Sequence, residues 1–134
     1  MSITLADVEA RFDVTHLDHL DRQAEIPTVD TLGFQGDVAV IRVDGPAAAT
    51  PVPAAGVAVV RGENGGNTHL LIGDAHADLV ATVGDDLILG RVTVGVGATA
   101  LLSHPEHGGL LIAPGTYELR RQREQADEIR LVQD

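Results

Sequence analysis

The spacing of apolar positions changes character close to residue 33. Before it, the spacing is helical. Thr4 and Asp7 form a capping-box pair, and Val8 and Phe12 follow four residues apart. Thr15 with Asp18 opens a second candidate helical turn, with Leu17, Leu20 and Ala24 along one side, and Pro27 stops it. From Gly36 onward the period becomes two. Val38–Val43, Gly56–Arg61, His69–Ile72, Leu79–Val83, Leu87–Val94, Thr99–Leu102, Leu110–Ile112, Thr116–Arg123 and Ile129–Val132 read as short strands. Turn residues separate them, as in Glu63-Asn64-Gly65-Gly66, and the Pro/Ala-rich stretch Pro46–Pro53 reads as a connection rather than a linker. The pattern predicts an all-β fold, a single small β-sandwich or barrel with jelly-roll or cupin-like arrangements among the options. An acidic, partly helical N-terminal extension over 1–33 would precede a β-domain over 34–134.

Composition narrows the function classes. A chain of 134 residues suits one domain with a real core. The net charge of −11 sets the surface against nucleic acid and anionic membranes, so neither is expected as a partner. Cysteine is absent, which rules out disulfides and thiolate metal sites. No run is apolar enough for a bilayer span, and Met1-Ser2-Ile3-Thr4 lacks the basic start of a signal peptide. A cytoplasmic product is the expectation, in a bacterium or a phage-infected host cell, with a virion as a further destination.

Candidate chemistry concentrates in two turns. His104-Pro105-Glu106-His107 puts two imidazoles and a carboxylate within four residues, and Gly108-Gly109 marks the stretch as a loop. Gly65-Gly66-Asn67-Thr68-His69 is a second Gly-rich turn ending in histidine. Imidazole and carboxylate suit zinc or another first-row metal, so His69, His104 and His107 are the metal-ligand candidates and a zinc-like divalent ion the candidate cofactor. The same groups serve as acid and base, yet no catalytic residue is assigned and enzyme status stays open. In the strand from Gly115, period-two alternation puts Arg121 and Arg123 on the face of Tyr117 and Leu119, with Arg120 outward. Inward guanidiniums need carboxylates or an anion, and Glu106 and Glu124 are the acidic candidates. The alternative is that the core ends at Leu119 and all three arginines are solvated. His16 and His19 read as solvated, and His76 as an exposed turn residue.

Four segments occur in a set order: Phe34-Gln35-Gly36-Asp37-Val38, Gly66-Asn67-Thr68-His69, His104-Pro105-Glu106-His107, and Pro114-Gly115-Thr116-Tyr117 running into Arg121-Gln122-Arg123-Glu124. The set resembles a group of small uncharacterised phage and bacterial proteins. They share a Gln-Gly-Asp-Val start, a Gly-His-x-His turn, a His-x-Glu-His turn and a Pro-x-Gly-x-Tyr strand ending in Arg-Gln-Arg-Glu. The match covers residues 34–134 and brings no established activity. It implies that the histidines, Arg121 and Arg123 form one site. The chain departs from the pattern at Asn67, which stands where the group has its first histidine and would weaken a metal site built there. Nucleotide-binding, serine-hydrolase and cupin metal motifs are absent.

Three function classes follow. The favoured one is a non-catalytic β binding or assembly module with a His/Glu/Arg pocket of Asn67, Glu106, Arg121, Arg123 and Glu124 beside the histidines. Its nearest rival is a phage virion structural protein, for capsid decoration or as a minor capsid component. The third is a metal-dependent hydrolase with Glu106 as base and the arginines holding a phosphate or carboxylate. Partners are expected through residues 1–33, as a homo-oligomer or with other subunits.

Overall fold

The computed structural model describes residues 3–60, 68–80 and 88–121. Among these residues, helix α1 spans Leu5–Phe12 and is followed by ten strands. These are β1 (Thr28–Val29), β2 (Leu32–Gln35), β3 (Val38–Arg42), β4 (Val57–Val60), β5 (His69–Gly73), β6 (Ala75–Leu79), β7 (Ile88–Val94), β8 (Ala100–His104), β9 (Gly108–Ile112) and β10 (Gly115–Arg121). They form two five-stranded sheets, ordered β1-β9-β8-β5-β4 and β2-β3-β10-β7-β6. Neither sheet closes on itself, so the fold is a β-sandwich and the barrel alternative falls away. All the strand pairs are antiparallel except β1 with β9.

Alternation explains the core between the sheets. Leu71 of β5, Ala100 and Leu102 of β8, and Leu110 and Ile112 of β9 face Val38 and Val40 of β3, Val92 and Val94 of β7, and Tyr117 and Leu119 of β10. Tyr117 is fully buried and satisfies its hydroxyl by donating to the Ala113 carbonyl at 2.7 Å. Glu118 and Arg120 point the other way, as period two requires.

Strands β8 and β9 break the half-buried pattern, because every residue in both is buried. Their second face is covered by the N-terminal segment. Leu5 and Val8 of α1 pack on Ile72, Leu101 and Leu111, with Ile3, Phe12, Val14, Leu20 and Ile26 around them. The capping box at Thr4 and Asp7 forms as its spacing predicts, and Asp13 closes the helix in the left-handed region at φ 56°. Ile3, Leu5, Val8, Phe12, Val14, Leu20 and Ile26 therefore lie on the chain's own sheet as a third layer, while Leu17 is exposed.

The second helical turn expected from Thr15 does not form. The Arg22 guanidinium takes the carbonyls of His16, Leu17 and Leu20, which a helix would use for its own ladder. Strands β1 and β2 lie in the region read as extension, and the division near residue 33 falls inside β2. Gly73-Asp74 carries the chain from one sheet to the other, and β6 begins at Ala75 rather than Leu79. Ahead of Leu79 its apolar side consists of Ala75 and Ala77, too small to mark a strand by hydrophobicity. The candidate strand at Ile129–Val132 lies outside the described residues. Among the described residues no helix is long and apolar enough to cross a membrane.

Candidate functional site

Period two places the histidines. His69 is two residues before Leu71 on β5, and His104 two after Leu102 on β8, so both imidazoles take the inward positions next to the inter-sheet core. They are only 3% exposed. The loop after β8 then carries His107 out to solvent beside them. The rings of His69 and His104 have centroids 4.4 Å apart, as do those of His104 and His107, while His69 and His107 are stacked at 6.3 Å. The three histidines singled out from two turns thus meet at one end of the sandwich.

The β2–β3 hairpin supplies the opposite wall. Gln35 pairs with Val38 across the two-residue loop Gly36-Asp37. Gly36 has φ +57°, which hairpin loops of this length favour glycine to provide. A Cβ there would lie 2.8 Å from His107 Cδ2 and Nε2, so glycine also makes room for the ring. Gln35 and Asp37 then reach His69 from two sides: Gln35 Oε1 is 3.0 Å from Nδ1 and Asp37 Oδ1 is 3.2 Å from Nε2.

These contacts fix protons. The Gln35 amide donates to the Leu102 and Gly108 carbonyls at 2.8 and 3.2 Å, so its own oxygen must accept from His69 Nδ1–H. Burial pushes the His69 pKa down to about 4, assisted by His104 and His107 and opposed by Asp37. At neutral pH the one ring proton is therefore on Nδ1, and Nε2 turns a lone pair toward the Asp37 carboxylate. His104 is committed differently. Its Nδ1 accepts from the backbone N–H of Glu106 at 3.0 Å and of His107 at 3.1 Å, which holds the tight turn and leaves Nδ1 no lone pair for another ligand.

Arg121 shares the face of Tyr117 and Leu119, as alternation predicts, and its Nε is 3.5 Å from Asp37 Oδ2. Its side chain is 36% exposed, so it is a marginal charge and not an interior one. Arg120 faces outward toward Glu118. Glu106 is exposed on the loop. Asn67, Arg123 and Glu124 lie outside the described residues. Among the described residues no group of three or more His, Asp or Glu is arranged to hold a metal ion. The Nδ1 lone pair of His104 and the Nδ1–H of His69 are already used, so a cation at this end would have to meet His69 through Nε2, beside Asp37.

Pattern reading missed Gln35 and Asp37 as site residues. Their signal was the Gln-Gly-Asp hairpin turn, which places one polar residue inward on each side of the glycine. His16, read as solvated, is buried. Its Nδ1 is 3.1 Å from Glu9 Oε2 and its Nε2 is 2.9 Å from Ser103 Oγ, while Arg22 Nε donates to Glu9 Oε1 at 3.1 Å. No spacing in the sequence announces that network, because Ser103 joins it from 87 residues away. His19 and His76 are exposed, with His76 on β6 rather than in a turn.

Neither a curated protein nor a solved structure matches the chain. A family profile does match, over residues 34–122, which begins within β2 and takes in the hairpin, all three clustered histidines and Arg121. The chain belongs to that family, described as a domain of unknown function, DUF8820.

Proposed function

We propose that the chain is a binding module whose ligand docks at the histidine-lined end of the sandwich, and that this end is not itself catalytic. The observation that carries the reading is the facing pair of His69 Nε2 and Asp37 Oδ1 at 3.2 Å. With the ring proton held on Nδ1 by Gln35, two acceptors oppose each other. The arrangement lacks one positive charge or one shared donor. A ligand that brings a donor, such as an ammonium group, supplies it, and so does a divalent cation that completes its shell with solvent. His107 and Arg121 flank the approach, since both are partly open to solvent. Catalysis at this end has little support. A general base works best with a pKa near the operating pH, and burial holds that of His69 down to about 4.

Calorimetric titration of the full chain with zinc chloride, methylammonium chloride and sodium phosphate tests this. Uptake of zinc or methylammonium is expected, and Asp37→Asn should abolish it by removing the carboxylate. A response to phosphate alone, lost in Arg121→Ala, would replace the reading with an anion site. No heat from any of the three would end it.

A second reading, assembly, rests on a different surface. Leu32 and Phe34 on the edge strand β2 are 54% and 56% exposed. Among the described residues no strand pairs with the outer side of β2, and an edge with apolar side chains favours pairing with another chain. Homo-oligomerisation or packing into a particle would use that edge, with Leu32 lying in the segment expected to contact partners. Sedimentation of wild type against Phe34→Lys checks it: a concentration-dependent oligomer that the variant loses supports assembly, and a monomer in both removes it.

A further inference from the structure

Strand β8 presents His104 to the histidine cluster and Ser103 to its opposite face, beneath the N-terminal layer. A cavity of about 350 Å³ opens beside Ser103, lined also by Asp13, Val14, Thr15, Thr68, Leu70 and Pro105. That volume suits a small ligand. From the geometry around it we infer a second, independent site, in which Ser103 is a nucleophile, His16 its base and Glu9 the group that orients the base, acting on short-chain carboxylic esters.

The proton arrangement supports the roles. Glu9 Oε2 accepts from both the backbone N–H of His16 at 3.0 Å and its Nδ1 at 3.1 Å. The carboxylate therefore keeps the ring proton on Nδ1. His16 Nε2 is left as an acceptor, and at 2.9 Å it takes the Ser103 hydroxyl proton. Arg22 on the other Glu9 oxygen helps hold the carboxylate ionised. A serine whose proton points into an imidazole, which is in turn held by a carboxylate, is the arrangement that defines a nucleophile triad by geometry and not by sequence order. Ser103, His16 and Glu9 come from β8, the N-terminal loop and α1, so the third layer completes the site.

The reaction balances with ester and water alone. Ser103 Oγ bonds to the ester carbonyl carbon while its proton passes to His16 Nε2. The carbonyl oxygen becomes an oxyanion, and the hydroxyl of Thr15 is a donor in the cavity lining. The bond to the alcohol oxygen breaks as that oxygen takes the proton from Nε2, leaving an acyl-serine. Water then attacks the acyl carbon, gives its proton to His16, and the acid departs as Oγ recovers the proton. Val14, Leu70 and Pro105 provide an apolar wall for the acyl chain.

Incubation of the full chain with diisopropyl fluorophosphate, followed by peptide mass spectrometry, tests the inference. The expected result is a diisopropylphosphoryl adduct on Ser103, none in Ser103→Ala, and labelling about a hundredfold slower in His16→Gln. Hydrolysis of p-nitrophenyl acetate should fall to background in Ser103→Ala. Circular dichroism shows whether each variant remains folded. If Ser103→Ala does not fold, the wild-type adduct map alone decides the matter. A folded wild type that carries no adduct on Ser103, or ester hydrolysis unchanged in folded Ser103→Ala, overturns the inference and leaves the network as a clamp for the N-terminal layer. Zinc and methylammonium binding at the histidine end is unaffected by either result.

Discussion

At the residue scale, the histidine end is a set of fixed protons, and pH is the lever on it. His69 has a folded pKa of about 4, below its ordinary value of 6.5, because burial disfavours the charged ring. The unfolded chain therefore takes up a proton at a higher pH than the folded one. The contribution of His69 to stability is full above about pH 6.5, declines as pH falls toward 4, and levels off below that. At about 1.4 kcal/mol per unit, the loss is on the order of 3 kcal/mol. Urea denaturation at pH 7.5 and pH 4.5 should show it, and His69→Gln should flatten the difference. Equal slopes in wild type and variant would mean that other groups cause the acid sensitivity. Gly36 offers a second test. Alanine there adopts a left-handed conformation and meets the His107 ring. Gly36→Ala should cost at least about 1 kcal/mol and move the His107 ring resonances in proton NMR.

At the element scale, the strands that position the site were legible where side chains alternate between large and polar. β10 and the second half of β7 follow such runs, whereas β3 and β5 were legible as short Val/Leu/Ile-rich runs bounded by turn residues. The bounds of β8 and β9 were less clear because Leu101-Leu102 and Leu110-Leu111-Ile112 are continuous apolar stretches. That continuity is the mark of a strand covered on both faces, and the third layer seen in the structure accounts for it. β6 was illegible because alanines make a weak face, and β1 owes its existence to parallel pairing with β9, a long-range contact without a local pattern. In the site, the clustering of His69, His104 and His107 agrees with their expected turn positions. The roles of Gln35 and Asp37 depended on a hairpin folding across another sheet's edge. Helix α1 gives the test for this scale. Val8 is fully buried and Leu5 nearly so, beneath the outer face of β8 and β9. Leu5→Ala should cost about 2–5 kcal/mol, whereas Thr4→Ala, which removes only the cap, should cost about 1 kcal/mol. Similar small losses in thermal melts would mean that the helix is a loosely docked arm.

At the scale of the whole molecule, two cores share one sheet. The buried residues of the inter-sheet core all lie on strands. The second core exists because residues 3–26 cover Ile72, Leu101 and Leu111. The family match begins at residue 34, so it takes in the sandwich except β1 and the start of β2, and the covering layer lies N-terminal to it. Removal of residues 1–26 separates their contributions. The inter-sheet contacts and the β1–β9 pair survive that cut, so the far-UV spectrum should remain strand-dominated. The outer face of β5, β8 and β9 would then meet water. Leu101 and Leu111, buried at present, would each lose about 1.5–3 kcal/mol of burial. Stability should fall by several times the effect of any single surface substitution, with new binding of an apolar dye and self-association through the uncovered face. The histidine end sits on the inner side and should keep its zinc or methylammonium response, while Ser103 loses its base and its labelling. A truncated chain that melts cooperatively at the wild-type temperature would show that the layer contributes nothing to the fold. One that loses its strand spectrum would show that the sandwich cannot stand without it.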